Sequence, residues 1–554
     1  MSKNVELALP ADATSPRQSA VLDSAHVGDI RGAFGTISVN DTGKRNSWRA
    51  RFKTLMAIIG PGLIVMVGDN DAGAFGTYTQ AGQNYGTTLL WTLMLLIPVL
   101  YVNQEMVLRL GVVSGVGHAR LILERFGKFW GAFSVIDLFL VNALTIVTEF
   151  IGISLGLTFL GVPKIPGVIV AALLIMMAVS TGNFRRFERF SMVLVFASLL
   201  LVPVFVLVHP PLGQVAHDFF VPTYPQGGKL SDVMLLVIGI VGTTVAPWQL
   251  FFQQSYVIDK RITTRFIKYE RWDLAFGIVL VIIGAVAMMA FAAHTFAGKP
   301  EFGGFVDAGA VASGMAKYFG KLPAQLFAIA LIDACIIGAS AVSLSTAYAL
   351  GDVLSMNHSL HRKPKEAIGF YAVYFTLIVI AAALVLIPGT PLGLLTSAVQ
   401  TLAGVLLPSA SVFLLLLCND KEVLGPWVNG RKLNIFTAGI VAILVMLSIV
   451  LTAAVIFPDI SGDAIVGILA GGSLIAVLTT LGVKIVQSRR TVPAIASFEP
   501  LSVQDKTGWR MPSLDQLKPL NLTVGQLMWM GVLRSYLIIA ICMVAYKVVR
   551  MAIG

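Results

Sequence analysis

The chain has 554 residues, of which 56% are hydrophobic and only 12% are charged. Soluble proteins carry about 25% charged residues, so this composition excludes a disordered chain and an ordinary soluble enzyme and indicates a polytopic helical membrane protein. The net charge of +11 does not predict nucleic-acid binding, because Lys and Arg in cytoplasmic loops account for it. The three cysteines form no Cys-x-x-Cys pair and predict neither disulfides nor structural zinc.

Apolar windows of about 19 residues predict the helices in chain order. They lie near 54–80, 87–109, 131–160, 166–182, 190–208, 232–256, 272–296, 322–350, 367–388, 393–418, 435–457 and 463–485. Before them, residues 1–53 are polar and predict a mobile cytoplasmic tail. After them, a polar segment at 487–523 is expected in the cytoplasm, and an apolar stretch at 525–549 either spans the membrane or lies in its interface.

The distribution of Lys and Arg predicts the orientation of the chain. With the N-terminus inside, the loops on that side hold 18 Lys and Arg, against 5 in the loops on the other side. Positive residues are retained on the cytoplasmic side of membranes. We therefore expect a multi-pass protein with a cytoplasmic N-terminus, in a bacterial inner membrane.

Two predicted helices, the first and the sixth, are interrupted. Residues 68–76 read GDNDAGAFG, and residues 242–249 read GTTVAPWQ. Proline inside a helix removes a backbone hydrogen bond, and the freed carbonyls must line a cavity or be buried in protein. Breaks five helices apart predict two five-helix repeats, 54–208 and 232–418. Because five is odd, the second repeat is inverted, as in transporters whose broken helices meet near the midplane.

Acidic residues inside the predicted helices are candidate site residues, because intramembrane charge is costly and usually functional. Asp71 lies inside the first break, and Asp69 precedes it by two residues. Glu149 lies within the third helix. The first break, with its carboxylates and glycines, therefore predicts a cation site at the junction of the two breaks.

Short motifs along residues 54–457 occur in a characteristic order and spacing. They are Gly60-Pro61-Gly62, Asp71-Ala72-Gly73-Ala74, FRRFE at 184–188, Ala246-Pro247-Trp248-Gln249, Gln400, Leu407-Pro408 and Val428-Asn429. Together they resemble the NRAMP family of divalent-metal transporters. The resemblance implies an all-α, LeuT-like fold of two inverted five-helix repeats, with two additional helices at 435–485 and a possible third at 525–549.

From the breaks and the resemblance together we expect a metal site and a surrounding substrate cavity. The expected metal-binding residues are Asp71, Asp69, Thr243 through its carbonyl, and Gln400. The expected cavity residues are Asn70, Ala74, Glu149, Ala246, Trp248 and Gln249.

The departures from the family pattern bear on selectivity. Ala74 stands in place of the family's Asn, and Ala246 in place of its Met, the only soft ligand. Carboxylate, carbonyl and water suit magnesium and manganese, and a site that lacks two ligands has room for a hydrated ion. This pattern is similar to the NRAMP-related magnesium transporters, which implies uncoupled transport. The family's sixth-helix His is Trp248 here, and its third-helix acid pair is reduced to Glu149.

The sequence therefore predicts a secondary transporter of hydrated Mg²⁺, also admitting Mn²⁺, without obligatory proton coupling. A proton-coupled Mn²⁺ or Fe²⁺ importer, an amino-acid transporter and a non-transporting membrane sensor remain as alternatives. Divalent cations and membrane lipids are the expected partners. We expect no nucleic acid, no cofactor and no enzymatic activity, and the sequence does not give the oligomeric state.

Overall fold

The computed structural model describes residues 24–225, 227–388, 409–457, 460–472 and 503–518, together with a few isolated residues between 396 and 538. Within this part of the chain, eight helices are long and apolar enough to cross a membrane, or nine if one bent pair forms a single span. The predicted helical membrane protein is confirmed. Gln400 and most of 525–549 lie outside the described residues.

The elements up to residue 220 comprise a short antiparallel hairpin and ten helices. They are β1 (Ile30–Arg31), β2 (Thr36–Ile37), α1 (Trp48–Ile58), α2 (Pro61–Val67), α3 (Ala72–Tyr85), α4 (Leu90–Ser114), α5 (His118–Phe126), α6 (Lys128–Phe159), α7 (Lys164–Val179), α8 (Phe184–Ala197), α9 (Leu201–Val208) and α10 (Leu212–Phe220). A 3₁₀ turn joins α8 to α9, so that Phe184–Val208 is one span.

The remaining described elements are helical. They are α11 (Leu230–Thr244), α12 (Pro247–Asp259), α13 (Ile267–Phe296), α14 (Ala308–Phe319), α15 (Lys321–Leu354), α16 (Ile368–Leu386), α17 (described over 409–417), α18 (Lys421–Leu424), α19 (Arg431–Ile456), α20 (Gly462–Gly472) and α21 (Val503–Gly508).

The described helices fall into two sets of five, each beginning with a broken helix. The first set is α2/α3, α4, α6, α7 and α8–α9, and the second is α11/α12, α13, α15, α16 and α17. Helix α13 of the second set packs along α2 and α3 of the first, and α15 packs along α6. The predicted repeats therefore interlock, and the two breaks lie in the middle of the bundle.

Each break follows from its local sequence. Helix α2 ends at Val67, and α3 begins after Asp71, whose extended backbone (φ −78°, ψ −170°) and side chain cap the new helix. Helix α12 begins at Pro247, a position where the missing N–H costs nothing. The first predicted helix, 54–80, differs at its start, because residues 54–58 belong to α1, which bends by 52° from α2.

The end of the bundle that carries residues 24–47 is called the N-terminal face below, and the opposite end is called the vestibule face. The prediction of a mobile tail over 1–53 differs from the structure for residues 24–53. The backbone carbonyl of Ala33 accepts a hydrogen bond from Arg189 (3.0 Å), and that of Ala25 accepts two from Arg261 (2.7 and 3.0 Å). These long-range contacts order residues 24–53, although the polar composition of this segment does not predict an ordered structure.

A loop on the same face adds a buried ion pair. His358 lies in the loop that follows α15, with Nε2 3.1 Å from an Asp352 carboxylate oxygen. Burial lowers the pKa of His358, but the charge and hydrogen bond of Asp352, together with the Met356 carbonyl and the charge of Asp259, outweigh it and raise the pKa to about 9. The imidazole is therefore cationic at neutral pH, next to the ring of His26 from the N-terminal segment (5.8 Å between centroids).

A fully buried ionic network fixes the bend between α1 and α2. Lys260 Nζ lies 2.6 Å from Glu188 Oε1 and donates to the backbone carbonyl of Ile59 (2.9 Å). The Asp273 carboxylate accepts hydrogen bonds from the backbone N–H groups of Gly60 (3.1 Å) and Gly62 (2.6 Å). The lysine thus satisfies carbonyls at the end of one helix, and the aspartate satisfies N–H groups at the start of the next.

Replacement of the central cation of this network should destabilise the protein strongly. In Lys260→Met, the Glu188 carboxylate stays buried without its partner, which costs about 3–5 kcal/mol. The matched control is Arg45→Met, which breaks the partly exposed pair with Asp41 and should cost less than about 1 kcal/mol. Denaturant unfolding of the purified protein in detergent measures both. Equal effects of the two substitutions would contradict the stabilising role of the network.

Candidate cation site

The side chain of Gln249, in α12, connects the two breaks. Its Nε2 donates to Asp69 Oδ1 in the first break and to the carbonyl of Thr244 in the second (3.4 Å). Its Oε1 accepts from Gln104 Nε2 of α4 (2.9 Å). All three side chains are fully buried, so the two breaks form one polar junction inside the apolar bundle.

Other side chains close this junction on both sides. The hydroxyl groups of Tyr78 in α3 and Thr244 in α11 are 2.7 Å apart. The Trp248 indole lies against the first break, with Cη2 3.6 Å from the position of a Cβ on Gly68. The backbone carbonyl of Trp248 accepts a hydrogen bond from Ser345 Oγ of α15 (2.9 Å). Helices α3, α11, α12 and α15 therefore all meet where the helices are interrupted.

The carboxyl groups of Asp71 and Glu149 form a pair at the start of α3. Asp71 accepts from the backbone N–H of Ala74 (3.0 Å), and Glu149 accepts from that of Ala72 (3.2 Å). The two carboxyl groups are close enough to interact, and the Glu149 carboxyl group and the Asp71 Cβ both lie against Gly338 of α15. Two ionised carboxylates in contact repel each other, so this pair is stable only with a proton or a cation between its oxygens.

Several buried oxygen atoms around the breaks have no hydrogen-bond partner. They are Asp69 Oδ2, Asn70 Oδ1, Glu149 Oε1 and Thr243 Oγ1. The carbonyl of Thr243 would pair with the N–H of residue 247 in an unbroken helix, but Pro247 has no N–H. Unpaired buried oxygens are costly unless a ligand satisfies them. The described residues at the junction therefore offer several unpaired acceptor oxygens.

The predicted cavity residues are packed rather than open. Ala74, Glu149 and Gln249 are fully buried, and Trp248 and Ala246 are 1% and 8% exposed. In the described part of the chain, no three His, Cys, Asp or Glu side chains converge into a preformed metal site. A cation at this junction would therefore be held by few side chains together with backbone carbonyls.

A cavity of about 300 Å³ opens on the vestibule face and ends at Ala72 and Gly152, directly beside the Asp71–Glu149 pair. None of the residues predicted to line a substrate cavity lines it. Its lining includes two carboxylates that sequence reasoning missed, Asp232 and Asp307, and no Lys or Arg. The signal for them was present, because Asp232 lies in the first turn of α11 and Asp307 caps α14. However, Asp232 is only the first residue of the predicted helix 232–256, and Asp307 lies between two predicted helices.

Two further buried residues were missed because only tertiary packing brings them to the site region. The Cys335 thiol of α15 lies near the Glu149 carboxyl group and against Gly152. Asp137 of α6 is 7% exposed, accepts from Ser409 Oγ (3.2 Å), and lies beside Pro247 at the start of α12. Each stands in an apolar stretch whose sequence gives no sign of these neighbours.

The chain is similar in sequence to bacterial divalent metal cation transporters. The chain is 29% identical over 397 residues to the divalent metal cation transporter MntH of Ralstonia nicotianae, which covers 69% of this chain and 87% of that one. It is 27% identical over 259 residues to the protein of the same name from Klebsiella pneumoniae, where the match covers 46% of this chain and 62% of the relative. The aligned part thus falls short of two thirds of the Klebsiella protein.

A solved structure shares the fold. The Eremococcus coleocola manganese transporter, in complex with an aromatic bis-isothiourea compound, is 21% identical, with a TM-score of 0.60 over 81% of this chain and 98% of that one. The likeness confirms the LeuT-like arrangement of inverted repeats that the two breaks predict. A family model described as natural resistance-associated macrophage protein-like matches residues 62–454. This match covers most of the chain and both broken helices, and the protein therefore belongs to the NRAMP family.

Proposed function

We propose that the protein is a secondary transporter that moves divalent metal cations across the membrane through the junction of the two helix breaks. The observation that carries the proposal is the buried Asp71–Glu149 pair beside unpartnered oxygens at the junction. Oxygen atoms of this kind are the ligands of hard divalent cations. The names of the relatives, divalent metal cation transporter and manganese transporter, support the same activity.

Manganese is the substrate that has the most support. The sequence analysis favoured hydrated Mg²⁺, but none of the relatives reported above is named for magnesium. The remaining donors are oxygens, and Ala74 and Ala246 supply no soft atom. Mn²⁺ is the transition metal that accepts such a donor set most readily, whereas Fe²⁺ and Cd²⁺ gain more from nitrogen or sulfur. Mg²⁺, which has the same preference for oxygen, is the competing substrate.

Proton coupling also has more support than the sequence suggested. The sequence analysis counted lost titratable groups and predicted uncoupled transport. Glu149, however, is not isolated but contacts Asp71 directly. A cation that binds Asp71 neutralises one carboxylate of the pair and changes the free energy of protonation of the other. The pair is thus sufficient to link cation binding to proton binding at one place.

The cavity on the vestibule face supports entry of cations to the site from that side of the membrane. Asp232 and Asp307 give the cavity a negative charge that concentrates cations. The same charge, together with Asp71 below it, disfavours the carboxylate of an amino acid, which is the alternative substrate class for this fold. With the Lys-rich and Arg-rich N-terminal face in the cytoplasm, the vestibule face is external.

Neutralisation of Asp71 should strongly weaken cation binding. Loss of a charged ligand from a buried site costs about 2–5 kcal/mol, so Asp71→Asn should weaken Mn²⁺ binding by about 30-fold or more. Uptake of Mn²⁺ into proteoliposomes measures the loss. The matched control is Asp232→Asn in the vestibule, which should slow uptake at low ionic strength only. Wild-type uptake by a well-folded Asp71→Asn protein would move the site elsewhere.

Replacement of Glu149 by glutamine should separate metal transport from proton transport. The amide keeps a hydrogen-bonding group beside Asp71 but cannot gain or lose a proton. We expect Glu149→Gln to retain Mn²⁺ uptake and to lose the accompanying acidification of the liposome interior, followed with a trapped pH dye. Cys335→Ser, which changes a neighbour of Glu149 without removing its charge, serves as the control. Proton flux that persists in Glu149→Gln would contradict coupling at this pair.

Introduction of a thioether should change the selectivity. Ala246→Met adds a soft donor at the second break, and we expect Cd²⁺ to compete several-fold better against Mn²⁺ uptake than in the wild type. Ala246→Leu, which has similar volume without sulfur, distinguishes ligation from altered packing. If the methionine and leucine variants give the same competition profile, residue 246 does not face the bound cation.

A further inference from the structure

A second cavity, of about 360 Å³, lies on the N-terminal face, away from the cation site. It lies where α4 ends and α13 and α19 begin, next to the segment that carries α21. Its lining consists of Tyr101, Val102, Glu105, Arg109, Arg271, Trp427, Val428, Leu433 and Lys506. Three of these residues are cationic and one is anionic, so the cavity has a net positive charge.

The acid in this cavity is already satisfied by protein. Glu105 Oε2 lies 3.2 Å from Arg109 Nη2, and Glu105 Oε1 lies 2.5 Å from Arg271 Nη2. Lys506 has no carboxylate partner among the described residues, and its Nζ lies 4.6 Å from the centroid of the Trp427 ring. One carboxylate therefore neutralises part of the charge of two arginines, and about two positive charges are left for a ligand.

The cavity is built around a buried arginine rather than formed by mobile surface side chains. Arg109 is 5% exposed and donates to the carbonyl of Trp427 (2.5 Å) and to Asn429 Oδ1 (2.6 Å). Its Nε is buried and has no partner. That nitrogen has almost no accessible surface, so it is the charge of the guanidinium that the cavity presents to a ligand. The contacts with Trp427 and Asn429 thus hold a permanent positive charge at the cavity wall, where an anionic oxygen would be attracted.

The surroundings place this site at the membrane surface. Tyr101 on α4 and Trp272 and Phe276 on α13 are 38%, 54% and 43% exposed, as expected for side chains that face lipid. Tyr and Trp are typical of the membrane–water interface, where headgroups lie. Basic pockets between helices on the cytoplasmic side bind anionic headgroups. A ligand here would have its charge in the cavity and its apolar part along α4 and α13.

We propose that this cavity binds the phosphodiester headgroup of an anionic phospholipid. Arg109, Arg271 and Lys506 supply the charge, and Trp427 supplies an interfacial aromatic wall. Their charge-assisted hydrogen bonds select a phosphate oxygen, and the net charge favours a lipid without a compensating amine. A headgroup bound here would contact the first repeat, the second repeat and α19 at once and would hold them together.

Binding of phosphatidylglycerol to the purified full-length protein in detergent, followed by native mass spectrometry, tests the proposal. We expect phosphatidylglycerol to bind more tightly than phosphatidylcholine. Each cation near an anionic headgroup contributes about 1 kcal/mol, so the double variant Arg271→Gln/Lys506→Gln should weaken phosphatidylglycerol binding by about 30-fold. Arg186→Gln, at an exposed arginine on the same face outside the cavity, should bind like the wild type.

A single variant and a competition with inorganic phosphate complete the test. Lys506→Gln alone breaks no ion pair with protein and should weaken phosphatidylglycerol binding by about fivefold even if the double variant fails to fold. Millimolar inorganic phosphate should not displace the lipid, because it lacks the apolar contacts. Equal binding by the variants and the wild type, or no preference over phosphatidylcholine, would overturn the proposal. Displacement by inorganic phosphate would show that the cavity binds a free anion and would overturn the lipid assignment.

Discussion

The structure depends on one constraint, which is that backbone polar groups freed by two broken helices must find partners inside an apolar bundle. Water and lipid cannot supply those partners at this depth. The side chain of Asp71 caps α3, and Gln249 joins Asp69 to the carbonyl of Thr244. The residues that repair the breaks are therefore also those that we propose to bind a cation. A few of their buried oxygens have no hydrogen-bond partner and would be satisfied by such an ion.

The two faces of the bundle differ in how they are closed. On the vestibule face a cavity reaches Ala72, beside the Asp71–Glu149 pair. On the N-terminal face, the network of Lys260 and Asp273 fixes the entry into α2, and residues 24–47 pack against Arg189 and Arg261. Alternating access at a fixed site requires one face to open as the other closes. In such a cycle, these N-terminal contacts are the ones that have to break.

The sequence predicted the helices well because apolar length is a local property. The third helix, expected at 131–160, is Lys128–Phe159, and the ninth, expected at 367–388, is Ile368–Leu386. The breaks were visible because glycine, proline and buried acid are local signals as well. Residues 24–53 and the contact between Cys335 and Glu149 were not visible. Both depend on partners more than a hundred residues away, and short-range periodicity carries no information about them.

We propose that both helix breaks contribute to one cation site. The most direct measurement is a structure of the protein with Mn²⁺ bound, in which anomalous scattering locates the ion independently of the protein density. We expect one peak at the junction, within coordination distance of an Asp71 carboxylate oxygen and of the backbone carbonyl of Thr243. A peak that contacts Asp71 but no group of the second break, or a peak only in the vestibule near Asp232 and Asp307, would contradict it.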